Sequence, residues 1–229
     1  MARWRLSWSS ASPTGAYSSH AGEQGSSDTR MTETPSGKRV PAAERRESIL
    51  AAASVVFGDR GYAGATTDQI AAGAGISQAL VVRSFGGKEQ LFLDVARRAI
   101  DTVSETFRQA IADTGSAEPM EQRLAHALVE LIADRGILLS ITHMFALGHD
   151  AVTGSVARDG LLAIYRIVRD EAGLGSDRAA QFIANVLLIN NILTGRLHTV
   201  AETDADELLR EACHDNLSRF RTLTKQIVA

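Results

Sequence analysis

The sequence predicts an all-α protein of about nine helices, three short ones first and a larger bundle after them. Apolar residues recur at intervals of three and four in almost every segment from residue 43 to residue 227, which paints one stripe per helix. No stretch alternates with period two as a half-buried strand does. Only four prolines and 5% aromatic residues, beside abundant Ala, Leu and Arg, argue against a sandwich of short strands.

The elements follow in order. Residues 1–41 are rich in Ser, Gly, Thr and Ala and lack periodicity; they are expected to form a disordered extension. No apolar run follows Arg3 and Arg5, so no signal peptide is expected, and Met31 is a second candidate start. Ile49, Ala52, Ala53, Val56 and Phe57 then mark a first helix, with Gly58 and Gly61 as its expected end. Thr66 followed by Gln69 reads as a capping box opening a second helix. Gly73 and Gly75 allow a tight turn, and Ser77 is the expected cap of a short third helix that ends at Gly86-Gly87. A long amphipathic helix over residues 88–113 buries Leu91, Phe92, Val95, Ile100, Val103 and Phe107. Five more are expected near residues 120–135, 137–147, 153–172, 177–200 and 205–227, separated mostly by glycines. Three domains follow: the extension 1–41, a helix-turn-helix unit 42–90 and a helical bundle 91–229.

Composition excludes several classes. A single cysteine, Cys213, rules out an intrachain disulfide framework and any multi-cysteine zinc site, and fits a cytoplasmic location. No apolar run reaches the roughly 18–20 residues a membrane helix needs; the richest, residues 182–193, is broken by Asn185, Asn190 and Asn191. Gly86-Gly87-Lys88 lacks the first glycine of a phosphate-binding loop, and Glu89 stands where Ser or Thr belongs. Cys213 and His214 are adjacent on a helix, so their side chains diverge and form no nucleophile–base pair. No enzyme, metal site or cofactor is expected.

The net charge of −3 conceals an asymmetry. Residues 38–100 carry nine Lys/Arg and six acids; residues 101–229 carry 12 and 18. A basic N-terminal module on an acidic protein is the electrostatic footprint of a DNA reader. Two short helices joined by a glycine turn over residues 66–84 form a helix-turn-helix, whose second helix enters the major groove by its N-terminal residues. Gln78 there is the best base reader, because its amide pairs with adenine N6 and N7, and Ala79 is small enough to meet a thymine methyl. Thr66 and Thr67 sit at a helix N-terminus that suits a phosphate. Lys88, Arg45 and Arg46, and Lys38 and Arg39 in the preceding arm, are further candidates for backbone contacts. Lys88 is expected to have no buried partner.

The pattern Ile49, Phe57, Gly61-Tyr62, Thr66-Thr67, Ile70-Ala71, Ala74-Gly75-Ile76-Ser77, Val81, Phe85, Lys88-Glu89 and Leu91 resembles the N-terminal domain of the TetR family of bacterial repressors. The resemblance covers about residues 45–92. Two positions depart from it: Val82 stands for the family's usual Tyr and Ser84 for its usual His, both of which the resemblance implies contact the DNA backbone. Arg83 between them can supply a charge-assisted phosphate contact instead. Val82 keeps open a second reading, a helical ligand- or partner-binding protein with a degenerate helix-turn-helix.

The resemblance further implies a homodimer, closed by the last two long helices, that reads a palindromic double-stranded DNA operator and binds a small effector. A small, largely apolar effector is expected to release the operator. The segment 182–197 is apolar nearly all round, as a helix buried on one side by its own domain and on the other by a partner must be. Asn190 and Asn191 are candidates for hydrogen bonds across that seam. His126, His143, Met144, Phe145, Tyr165, Phe182 and Asn185 put polar groups among apolar ones and are the candidate pocket.

Overall fold

The structure, a computed structural model, describes residues 41–134 and 136–228, with side chains through Lys225. The expected disordered extension, with Lys38 and Arg39, and the core candidate Ile227 lie outside what is described. All described regular structure is helical.

Every helix expected from the sequence is present. They are α1 (Ala42–Gly64), α2 (Thr67–Gly73), α3 (Gln78–Phe85), α4 (Lys88–Ala112), α5 (Met120–Leu131), α6 (Ile137–Ala146), α7 (Ala151–Arg166) and α8 (Gly175–Thr194), with the ninth divided into α9 (Thr203–Cys213) and α10 (Leu217–Val228). The division is a single 3-10 turn, His214–Asn216, entered where His214 adopts φ 44° and ψ −124°. No glycine or proline announces it in the sequence. The end of α1 also differs from expectation. Gly58 is buried within the helix, which runs on to Gly64 with a kink at Gly61, where φ of 65° is a glycine conformation. The Gly58 carbonyl lies 3.2 Å from Nε2 of His143 on α6.

The capping box is formed as expected. Thr66 Oγ1 accepts from the Gln69 backbone N–H at 3.2 Å, and Gln69 Oε1 accepts from the Thr66 N–H at 3.1 Å. Asp150 caps α7 by accepting from Val152 and Thr153 N–H groups.

The core is continuous through the described chain, and α4 runs along its centre. Its N-terminal half packs on α1 and α3, and its remainder on α5, α6 and α7. Leu91, Phe92, Val95, Ile100, Val103 and Phe107 are all buried, as the helical period requires. Near the α4 N-terminus, Phe92 meets Phe57 and Tyr62 edge-to-face, with ring centroids 5.1 and 5.2 Å apart. Two glycines set how closely helices approach. A Cβ at Gly160 of α7 would lie 2.3 Å from Ile100 Cδ1 of α4. One at Gly136, just before α6, would lie 2.5 Å from the Ser54 backbone carbon of α1.

Gly136 has φ −91° and ψ −29°, which any residue adopts, so only space forbids a side chain. Gly136→Ala is therefore expected to push α6 off α1 and to cost about 1–3 kcal/mol, read as a lower urea midpoint with unchanged helical circular dichroism. A midpoint equal to the wild type's would show that the two helices are not in this contact.

Candidate nucleic-acid interface and internal cavity

The helix-turn-helix is built from inside out. Val81 and Phe85 are buried and anchor α3, which packs on α2 and α4, and this leaves Gln78, Ala79, Val82, Arg83 and Ser84 exposed on the opposite side. Gly75, at φ 65°, turns the chain from α2 into α3, and Gly86, at φ 82°, closes α3 by donating to the Val82 carbonyl at 2.7 Å. Val82 is 39% exposed, an apolar side chain where a hydrogen-bonding one was expected from the resemblance.

The candidate readers divide into those left available and those already engaged. Gln78 Nε2 donates to Thr67 Oγ1 at 3.0 Å, so the two candidates form one unit across the turn. Ser77 occupies the cap position of α3 with φ −80° and ψ 147°, yet its hydroxyl makes no capping hydrogen bond. The expectation that this hydroxyl is spent on the helix is thereby corrected. Arg45 is half-buried near the start of α1. Arg46 is 47% exposed; its Nη2 lies 2.5 Å from Asp94 Oδ2, and its guanidinium sits 4.3 Å from the Phe85 ring centroid. It thus joins α1, α3 and α4 rather than standing on a solvated face.

Lys88 departs most from expectation. Its ammonium donates to the carbonyls of Tyr62 at 2.9 Å and Ala65 at 3.1 Å and lies 4.5 Å from the Tyr62 ring centroid. Tyr62 lies in the last turn of α1 and Ala65 is its C-cap, where carbonyls have no helical partners, and a cation is what a helix C-terminus favours. Tyr62 and Asp94 are the partners that sequence reasoning missed. A conserved spacing cannot show them, because both contacts join residues far apart in the chain.

The candidate pocket residues do not converge. Met144 and Phe145 line an enclosed apolar cavity of about 30 Å³ among α4, α5, α6, α7 and α8. His126, Phe182 and Asn185 instead line an open groove of about 790 Å³ between α5, α8 and the α9–α10 junction. There Asn185 Nδ2 is engaged by the Ala212 carbonyl at 3.0 Å, and His126 Nδ1 lies 3.0 Å from Glu118 Oε2. The Arg178 guanidinium holds the Glu121 carboxyl below its ordinary range, and burial pushes the Cys213 thiol up to about 11. His143 serves the α1–α6 contact, and Tyr165 lies under Arg169; neither lines the cavity or the groove. Asn190 is also corrected. It is buried inside the protomer and lines the cavity, whereas Asn191 is exposed and donates to the Leu187 carbonyl.

Residues 49–95 match the family described as bacterial regulatory proteins, tetR family. The HTH-type transcriptional activator FasR of Mycolicibacterium smegmatis is 30% identical over 158 residues, which is 67% of this chain and 72% of that one. The chain belongs to the TetR family of transcriptional regulators. It is a DNA-binding helix-turn-helix protein. A second TetR-type relative, the HTH-type transcriptional repressor AcnR of Corynebacterium diphtheriae, is 35% identical over 82 residues, 36% of this chain and 41% of its own. The TetR fold is shared with a TetR-like regulator from a Rhodococcus species, with TM-score 0.52 and 23% identity over 76% of this chain and 96% of that one. It is shared also with the fatty acid degradation regulator FadR of Bacillus halodurans, with TM-score 0.53 and 18% identity over 79% and 96%. Among the described residues no helix is long and apolar enough to cross a membrane.

Lys88→Met keeps the packing on Tyr62 but leaves two carbonyls without a donor. It is expected to cost about 1–3 kcal/mol of stability, measured as a lower denaturant midpoint. A variant as stable as the wild type would show that the ammonium is solvated and available to DNA alone.

Proposed function

We propose that the protein is a homodimeric repressor that holds a palindromic double-stranded DNA operator through α3 and is released by a small, largely apolar effector bound in the C-terminal bundle. The carrying observation is that one helix, α4, joins the two ends: its N-terminus is tied to the reading unit by Lys88 and Arg46, while Ile100 and Val103 form a wall of the enclosed cavity.

Recognition rests on Gln78 and Ala79 for base edges, and on Ser77, Thr66, Thr67, Arg45, Arg46, Arg83, Ser84 and Lys88 for phosphates, with Val82 in apolar contact. The division at residue 90 into a reading unit and an effector unit is functional, since α4 serves both. Dimerisation through α8 and the α9–α10 segment is supported by apolar side chains left at the surface there: Leu188, Leu208 and Val200 are 36%, 38% and 40% exposed. A two-fold pair places its recognition helices one DNA turn apart, roughly 34–36 Å, or at a related spacing.

The geometry of the cavity supports a route to release. A cavity of about 30 Å³ is far smaller than the few hundred Å³ of a ligand pocket, so an effector must spread its walls. A displaced α4 carries the reading unit with it, and two half-sites at fixed spacing penalise that displacement. An effector that prefers the spread form thereby weakens DNA binding by its differential affinity, about 1–3 kcal/mol.

Fluorescence anisotropy on DNA from upstream of the protein's own gene tests the reading. Two protomers are expected to bind one palindromic site, with affinity falling steeply as salt rises. Binding that is absent even at low salt would refute it. Gln78→Ala is expected to cost about 1–3 kcal/mol on the operator and to relax preference at one base pair per half-site, while leaving scrambled DNA unaffected. Equal losses on both DNAs would remove its base-reading role. Val103→Ile adds one methylene to the cavity wall. It should leave operator affinity unchanged without effector and reduce effector-driven release by about fivefold or more, the scale of a modest allosteric coupling; unaltered release would place the effector elsewhere.

A further inference from the structure

We propose that the enclosed cavity takes a neutral ligand with an apolar body and one hydrogen-bond donor, an alcohol or phenol, which Asn190 selects through its amide oxygen. The inference deepens the effector reading above and rests on it.

Asn190 is 4% exposed, it lines the cavity, and its Oδ1 has no hydrogen-bond partner. A buried amide oxygen left in this way is destabilising, and folded proteins keep few of them. The neighbouring wall offers no remedy. The other cavity-lining side chains, among them Ile100, Val103, Met144, Ile164 and Ile183, are apolar, and none is charged. Water is a poor substitute, because a buried water needs two to four polar partners and this cavity presents one polar side chain.

The chemistry of the occupant follows. An acceptor set in an apolar enclosure rewards an O–H group and leaves an ether or alkane without compensation. A carboxylate or phosphate would bring its own lone pairs against Oδ1 and would lose its hydration where no cation lies in the wall. A site built to receive a hydrogen bond rejects the analogue that lacks the donor far more strongly than an apolar site rejects a missing methylene. The cavity also limits size. It expands where Met144, an unbranched and adaptable side chain, and the close Gly160–Ile100 contact between α7 and α4 give way.

Calorimetry on the full chain with 1-hexanol, dipropyl ether and pentanoate, probes of similar size, tests the assignment. The wild type is expected to bind the alcohol roughly tenfold or more tightly than the ether, with pentanoate weakest at neutral pH. Asn190→Leu is expected to retain ether binding, to lose the preference for the alcohol, and to melt at or above the wild-type temperature, because it removes an unpartnered polar atom. Equal binding of alcohol and ether by the wild type, strongest binding of pentanoate, or a preference surviving in N190L would each overturn the proposal. An N190L chain that does not fold would overturn it too, by making Asn190 a structural group; the wild-type ranking stands as a test without any variant. Operator affinity measured in parallel separates the two readings. An Asn190-dependent alcohol preference with unchanged operator binding supports the site and refutes its role as effector. Operator release by ether and alcohol alike keeps the effector reading and refutes the donor rule. Binding of none of the probes refutes the site.

Discussion

The structure depends on the burial of α4 along its whole length. At 25 residues it spans about 37 Å, enough to reach from the reading unit to the far side of the bundle. It is held by apolar contact on nearly every turn, from Leu91 and Phe92 through Val95, Ile100 and Val103 to Phe107. A helix so packed moves as a body, because close-packed interiors transmit displacement rather than absorb it. The helix-turn-helix and the C-terminal bundle are therefore packed against one shared element.

Polar ties at the α4 N-terminus accompany that packing. The Lys88 ammonium takes the carbonyls left open at the end of α1, and Arg46 spans from α1 to Asp94 across the Phe85 ring. The Arg46–Asp94 pair, with its arginine half exposed, contributes little stability by itself. Its effect is orientational, since it joins α1 to α4 beside the Phe85 ring of α3. The same arginine and lysine are also candidates for phosphate, so contacts inside the protein and contacts to DNA draw on the same charges.

The bundle end has the opposite character. Its cavity is nearly closed and almost wholly apolar, so the free energy of opening it falls on dispersion contacts and on one amide, Asn190. Close contacts such as Gly160 against Ile100 make the closed form specific, while the unpartnered amide oxygen keeps it short of a fully satisfied core. The protein thus keeps one unsatisfied polar atom in an otherwise apolar wall.

Much of this was readable along the chain, because local rules govern what is local. Helical period placed the core face of α4, the Thr66–Gln69 box opened α2 as written, and the spacing of small and apolar residues from Ile49 to Leu91 disclosed the helix-turn-helix. Contacts between distant residues were not readable. Lys88 looked like a helix-start lysine with no buried partner until folding brought the end of α1 beneath it, and the seven candidate pocket residues turned out to serve a cavity, a groove and two packing contacts. Asn190 shows the division most clearly. Sequence determined that an amide interrupts an apolar run and must be answered somewhere. Only the tertiary structure decided that α8 turns it inward to a cavity, because the rotation of a helix apolar nearly all round is set by what packs against it and not by its own period.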